Sequence, residues 1–460
     1  MKNSKLQKAG AVVLAIILAA VSVIPAFAAG DPLTYDLPYR DVKKSAWYAE
    51  DLRYMFACDY MSGTSKANTT FAPDDVTTRA MVVTILYRVA GEPSVKELEV
   101  PAFKDVPKNS WYKNAVTWAY SNGTATGYGN GYFGSNDPIT REQLVTMIYR
   151  YEQMNPLLSV EYTKDYDTFD DVKSVSSWAK EPFRWAVSAG IIKGIGARLA
   201  PRENAIRAQI AAMIARYGRM RDSVYEIPYV RPEYAAEDWR SHPQDYKLVA
   251  FTFDDVPSFP DAKDNTTVGF IDALNRYEGA GTLFVHGKNL AANGTELLRY
   301  GLAHGFEIGN HTYEHLDLKN VTDPLKILRE FSALDHRIEA LLGVKPRFIR
   351  TGGLSFNETV GKVTTDLSMP LIRGDVIEEP DLGNEGQRDA FIRDIQNGSI
   401  VLIHGFQDTS FACFEEVLQA LYNDGFRFCT LTELFDLLGI KEIPTDTMLW
   451  NVSYLIPKEN

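Results

Sequence analysis

The chain has 460 residues, a formal net charge of −12 and three cysteines. That length exceeds what one hydrophobic core serves and points to several units. The acidic balance excludes nucleic acid as a partner, since phosphate binding needs a concentrated basic surface, and three thiols cannot build a complete disulfide framework.

In chain order, Lys2, Lys5 and Lys8 precede an apolar run over 9–24, then Pro25 and the small-residue pattern Ala26-Phe27-Ala28. This reads as a secretory signal over 1–28, cleaved after Ala28. The run is short for a bilayer span of about 20 residues. No later stretch reads as membrane-spanning, so the mature chain is expected to be secreted, with no transmembrane segment. Export would permit a Cys413–Cys429 disulfide; buried free thiols, with Cys58, are the other reading. All seven histidines lie from His242 onward, whereas five of the seven tryptophans lie between Trp47 and Trp185. Metal or acid–base chemistry is therefore expected in the second half and a packing-driven binding function in the first.

The first half repeats. Tyr39-Arg40-Asp41-Val42, Phe103-Lys104-Asp105-Val106 and Phe169-Asp170-Asp171-Val172 recur at 64 and 66 residues, followed by Trp47, Trp111 and Trp178. Each copy then has a proline (Pro73, Pro138, Pro201) and Thr78-Arg79-Ala80, Thr140-Arg141-Glu142 or Ile206-Arg207-Ala208. The arginines open helices whose apolar residues keep an i, i+3, i+4, i+7 register: Val82, Ile85, Leu86 and Val89; Leu144, Met147, Ile148 and Tyr151; Ile210, Met213, Ile214 and Tyr217. Thr78 is placed to cap the first helix, and Thr140 with Gln143 makes a capping box.

These copies resemble S-layer homology (SLH) repeats, over 37–93, 101–153 and 167–219. The resemblance implies an α-helical three-repeat bundle that binds secondary cell-wall polysaccharide, commonly a pyruvylated one. The arginine of the family's Thr-Arg-Ala-Glu motif falls at Arg79, Arg141 and Arg207, which would hold the anionic glycan. A guanidinium near a helix N-terminus supplies charge-assisted donors to a carboxylate; a solvated first-turn side chain is the alternative for each. The motif's acid is replaced by Met81, Gln143 and Gln209. Asp41, Asp105, Asp171 and the three tryptophans are expected to tie the repeats together rather than touch glycan. An extended linker, 220–246, follows.

From 247 onward short apolar runs (247–253, 281–285, 306–308, 347–349, 370–372, 399–403) alternate with helical segments (266–277, 295–304, 324–342, 386–396, 411–424). Such alternation predicts a parallel sheet with barrel-like closure and a site at the C-terminal ends of the strands. The first strand ends in Asp254-Asp255, either a turn or a pair of working carboxylates. Asn310-His311-Thr312-Tyr313-Glu314-His315 follows the third. Histidines at i and i+4 on one face of a helical turn reach one cation, and two imidazoles with one carboxylate leave a coordination position open. His404 ends a later strand at the same mouth, as a proton donor or a core histidine.

Together these residues resemble the polysaccharide deacetylases of the NodB-homology group, carbohydrate esterase family four, over 247–440, leaving a tail at 441–460. The resemblance implies a distorted (β/α) barrel, so the chain as a whole is expected to be multidomain. It implies Asp255, His311 and His315 as ligands of a divalent metal, usually Zn²⁺. Asp254 would be the general base and His404 the general acid. Arg350 would orient Asp254, and the Gly353 backbone N–H would face the oxyanion. The third motif departs from the family, reading Arg350-Thr351-Gly352-Gly353 without its Pro and Tyr. The fourth is reduced to Asp375, with no tryptophan nearby. The implied function is a wall-anchored hydrolase removing acetyl groups from an acetylated glycan such as peptidoglycan. Two alternatives stand beside it: a catalytically silent wall-binding protein, and a His-x-x-Glu-His metallopeptidase with Glu314 as base.

Overall fold

The structure, a computed structural model, describes residues 35–65, 67–95, 103–154, 156–225, 235–236, 238–257, 265–290, 292–377, 382–404 and 408–456; the expected signal segment lies outside them. Each repeat contributes two helices: α1 (Ala49–Ala57) and α2 (Arg79–Val89), α3 (Lys113–Ser121) and α4 (Arg141–Met154), α5 (Lys180–Ser188) and α6 (Arg207–Tyr225). All twelve apolar residues in the shared register are buried. Thr78 Oγ1 accepts from the Met81 N–H, and Thr140 and Gln143 exchange bonds as a capping box. Ile206 has no hydroxyl, so the third copy keeps only the Gln209 half.

The three copies close into a ring. Thr77 N–H donates to the Ala205 carbonyl, Ala205 N–H to Ile139, and Ile139 N–H back to Thr77. The arginines close the same ring in the opposite sense: Arg79 Nε donates to the Phe133 carbonyl of repeat two, Arg141 Nε to Leu199 of repeat three, and Arg207 Nε to Phe71 of repeat one. All three are buried, so none is a solvated first-turn side chain. Asp41, Asp105 and Asp171 instead act within their own copies, accepting backbone N–H groups from Phe71 and Ala72, from Phe133 to Ser135, and from Leu199 and Ala200. The expectation that Trp47, Trp111 and Trp178 tie repeats together is corrected: they are 61%, 64% and 51% exposed.

In the second half, β1 (Lys247–Val256) is followed by α7 (Asn265–Asn275), β2 (Thr282–Val285), α8 (Ala292–Ala303), β3 (Glu307–Asn310), α9 (Pro324–Leu342), α10 (Glu358–Asp366), β4 (Leu371–Ile372) and β5 (Val376–Ile377). Then come α11 (Glu385–Asp394), β6 (Ser399–His404), α12 (Asp408–Asn423), β7 (Phe426–Cys429), α13 (Leu431–Leu437) and β8 (Met448–Leu449). Every pairing is parallel, with neighbours in the order β3-β2-β1-β6-β5. Strands buried on both faces read as unbroken apolar runs, which is why β1 and β2 were visible in the sequence. Ile349, expected within a strand, makes isolated bridges to Asn310 and Leu371. The segment 371–377 thus meets Ile349 at its start and β6 at its end. The hydrogen-bonded circuit returns on itself, consistent with a distorted (β/α) barrel.

Three boundaries differ from expectation. Helix α6 continues to Tyr225, because Arg221 pairs with buried Glu152 and extends the packed face into the expected linker. The end of that linker is not extended either: Trp239 is buried and the chain forms short 3₁₀ turns there. The expected tail supplies β8, and Leu449 and Val452 are wholly buried. The cysteines are free, Cys58 and Cys429 being buried.

The two halves share a core. Leu325, Leu328 and Phe331 of α9 cluster with Leu52, Met55 and Leu86 of the repeats. Arg329 pairs with Asp59 at 2.6 Å and Arg337 with Glu92 at 3.1 Å across the joint.

Candidate active site

Adjacent residues on a strand face opposite sides, so Asp254 and Asp255 need a local device to serve one site. The β1–β2 register shifts between Phe253 and Val256, and Asp255 takes φ +57°. An irregularity of this kind re-aims a side chain at a barrel rim. Asp254 then points inward, wholly buried, while Asp255 turns toward the histidines.

His311 Nε2 and His315 Nε2 lie 3.7 and 3.5 Å from Asp255 Oδ1, and the donor atoms of all three residues fall within 4.8 Å of one another. The expected helical turn is absent. Residues 311–315 form a loop in which Thr312 and His315 have positive φ. Asn310 shapes it, receiving the Thr312 N–H on Oδ1 and donating from Nδ2 to Asp335 and the Phe331 carbonyl. Glu330 holds the far side, accepting the Tyr313 and Glu314 N–H groups. His311 Nδ1 lies 2.9 Å from the Arg350 carbonyl, an acceptor only, so its proton sits there and Nε2 keeps a free lone pair for a cation. Gly352 makes room for His315, since a Cβ there would meet the ring at 2.9 Å. This donor set fits a divalent metal: two neutral imidazoles, one carboxylate and a fixed tautomer.

Arg350 is wholly buried, lies against the Phe284 ring, and donates from Nη1 to Asp254 Oδ1 at 2.6 Å and to Thr252 Oγ1 at 2.8 Å. Burial alone pushes the Asp254 carboxyl up, but the charge and hydrogen bond of Arg350 outweigh it and hold the group below its usual range. Asp254 Oδ2 lies 3.7 Å from His311 Nε2. His404 ends β6 in register with Asp254, with its side chain exposed. Gly353 follows in a short 3₁₀ turn, in the left-handed region at φ +59°.

Asp375 is not brought to this site. Its Oδ1 accepts the Ile400 N–H at 2.7 Å and its Oδ2 the Ser399 hydroxyl at 3.0 Å, at the opposite end of β6 from His404. At a strand rise of about 3.3 Å per residue this is more than 10 Å along the strand. The expectation of a catalytic Asp375 is corrected: it is a strand-start clamp. Glu314, the base of the metallopeptidase reading, pairs with Lys288.

His286 was missed. It follows β2 at the same mouth, with Nδ1 3.7 Å from Asp255 Oδ1 and its ring 5.2 Å from that of His315. Burial, then the neighbouring His315, pushes it down to about 4, so it is neutral. A histidine one residue beyond an apolar run was the available signal.

In the first half, two grooves lie between repeats. One, about 560 Å³, is lined by Arg141, Arg216, Gln209 and Trp47; the other, about 260 Å³, by Arg79, Arg150, Gln143 and Trp178. These are equivalent positions one repeat apart.

Fold and site together define a parallel-sheet α/β protein with a cluster of metal-type donors at the strand ends, joined to a repeat unit. Residues 241–372 match the family model for polysaccharide deacetylase, and 38–80, 102–145 and 168–211 match that for the S-layer homology domain. The chain carries three SLH repeats followed by a polysaccharide deacetylase domain of the NodB, carbohydrate esterase four group. It is 27% identical to a bifunctional xylanase/deacetylase of Pseudobutyrivibrio xylanivorans, over 43% of this chain and 32% of that one. It is 33% identical to a cell surface protein of Thermoanaerobacter kivui, over 33% and 19%. A family 4 acetyl xylan esterase from Clostridium thermocellum, solved with a cobalt ion, is 26% identical, with 45% of this chain and all of that one covered at a TM-score of 0.40. The chain spans from a tenth to about half the length of the curated relatives it matches. No helix among the described residues is long and apolar enough to cross a membrane.

Proposed function

We propose that this is a secreted cell-surface protein whose repeats hold it to secondary cell-wall polysaccharide. Its C-terminal domain then removes acetyl groups, chiefly N-acetyl, from a wall glycan such as peptidoglycan. The observation that carries the reading is the division between two adjacent carboxylates. Asp255 belongs to the donor set with His311 and His315, whereas Asp254 is held ionised by Arg350 beside it.

Zn²⁺ is the divalent ion that two imidazoles and one carboxylate suit best. When bound, it would supply Lewis acidity to the acetyl carbonyl and to the attacking water. Asp254 would take the water's proton, and Arg350 keeps it charged for that work. His404, beside Asp254 on the neighbouring strand, would return a proton to the departing amine. The Gly353 N–H, with its left-handed backbone, would stabilise the oxyanion. His311 keeps its orientation through the Arg350 carbonyl, so one residue serves both base and ligand. In the anchor, Arg79, Arg141 and Arg207 would hold the anionic glycan; Arg79 and Arg141 line the two inter-repeat grooves, and exposed Trp178 and Trp47 offer sugar-stacking faces at their rims.

The loop conformation of 311–315 disfavours the metallopeptidase reading, which needs both histidines on a helix. The deciding experiment is acetate release from N-acetylated wall fragments and acetylated xylan, with and without chelator, alongside sedimentation with purified cell walls. Release that is abolished by chelation supports the proposal. Stoichiometric zinc without turnover on any acetylated glycan leaves the wall-binding protein alone.

A further inference from the structure

A second set of metal-type donors lies in the joint between the repeats and the deacetylase domain. His336 and Glu339 stand three residues apart on α9, a spacing that puts both on one helix face. Asp222 of α6 and Cys58, which ends α1, come to meet them. Donor atoms of Asp222, His336 and Glu339 fall within 4.8 Å of one another.

Three details point to a ligand. His336 Nδ1 lies 2.7 Å from the Ser332 carbonyl, so that nitrogen donates and Nε2 is the one turned into the cluster. Nε2 faces Asp222 Oδ2 at 2.9 Å and Cys58 Sγ at 3.4 Å. Glu339 is 4% exposed, and its Oε2 has no hydrogen-bond partner among the described residues. A buried carboxylate oxygen without a partner is costly. All four side chains line one recess of about 230 Å³.

We propose that Asp222, His336 and Glu339 form a second divalent-cation site, of the zinc type, that fastens the third repeat to α9, with the Cys58 thiol adjacent. Ligand bonds of about 2.0–2.3 Å place tetrahedral donors roughly 3.3–3.8 Å apart, so the Asp222–His336 contact opens by about half an ångström on binding. Uptake releases the Nε2 proton, since the ligating nitrogen must be free. The site shares no residue with the barrel mouth, and its occupancy does not depend on the deacetylase reading.

The test counts zinc in the full mature chain after chelator stripping, zinc reloading and dialysis. Glu339→Gln is nearly isosteric and removes the unpartnered oxygen, so it preserves packing; His336→Gln is the second variant. Each is expected to hold one zinc fewer than the parent chain. The double variant His311→Gln/His315→Gln is expected to retain one zinc and a melting temperature that rises with added zinc. An unchanged count in Glu339→Gln, or no zinc in the barrel-mouth double variant, overturns the proposal.

Discussion

Arg350 and His311 are joined through the main chain: His311 Nδ1 donates to the Arg350 carbonyl at 2.9 Å while the Arg350 guanidinium holds Asp254 at 2.6 Å. One residue therefore fixes the tautomer of a metal-type donor and the charge of the neighbouring carboxylate. Disturbing its side chain separates the two services.

Asp254→Asn is expected to lower acetate release by a factor of roughly 10²–10⁴, the span of a lost general base, with zinc content unchanged. Asp255→Asn is expected to lose the zinc of the mouth as well as the activity. Metal analysis beside turnover checks both, and equal zinc loss in the two variants would contradict the division of roles.

Arg350→Met leaves Asp254 buried and unpaired, which costs about 3–5 kcal/mol of stability. The sign with pH follows from the depressed carboxyl. Its stabilising contribution is present above the unfolded value, near 3.8, and is lost as pH falls through the lower folded value. In Arg350→Met burial acts unopposed by the guanidinium, so the acidic limb of the rate profile should move to higher pH. Arg350→Lys keeps a charge and should recover part of that shift. Urea unfolding and a pH–rate profile read the two effects.

Gly352→Ala places a methyl against the His315 ring. Displacing a ligand's support typically costs 10–100-fold in metal affinity. The variant should bind zinc at the mouth that much more weakly while keeping its far-ultraviolet circular dichroism. Competition with a chromophoric chelator measures it.

In the anchor, Trp47→Ala removes an exposed side chain and should change stability by less than about 0.5 kcal/mol. Arg141→Ala strands a buried carbonyl of the next repeat and should cost about 1–3 kcal/mol. Both should reduce sedimentation with cell walls. Loss of stability without loss of wall binding in Arg141→Ala would leave that residue a purely internal tie.

What the sequence disclosed was what its spacing encodes. The repeat register, the long strands and the Asp254-Asp255, His311, His315 and His404 set were legible because period and strand ends carry them. The hidden parts depend on geometry that no short window holds. The strands β5 and β8 are two residues each, too brief for any period. The positive φ values of Asp255, Thr312 and His315 turn a strand-end pair and a helical spacing into loop geometry. Asp375 was misread because a carboxylate that clamps Ser399 and Ile400 looks, in sequence, like one that faces substrate. Cys58 and Asp222 meet His336 and Glu339 only after the two halves dock.

The circular hydrogen bonding of Thr77, Ile139 and Ala205 sets the repeat unit apart from an open solenoid, which can be shortened copy by copy with a graded loss of stability. Deleting the third copy here would strip Arg79 of nothing, yet orphan Arg141 and free the Phe71 carbonyl, damaging two copies at once. Truncated anchors should therefore fail as a whole, and grafting this anchor onto another enzyme requires all three copies together.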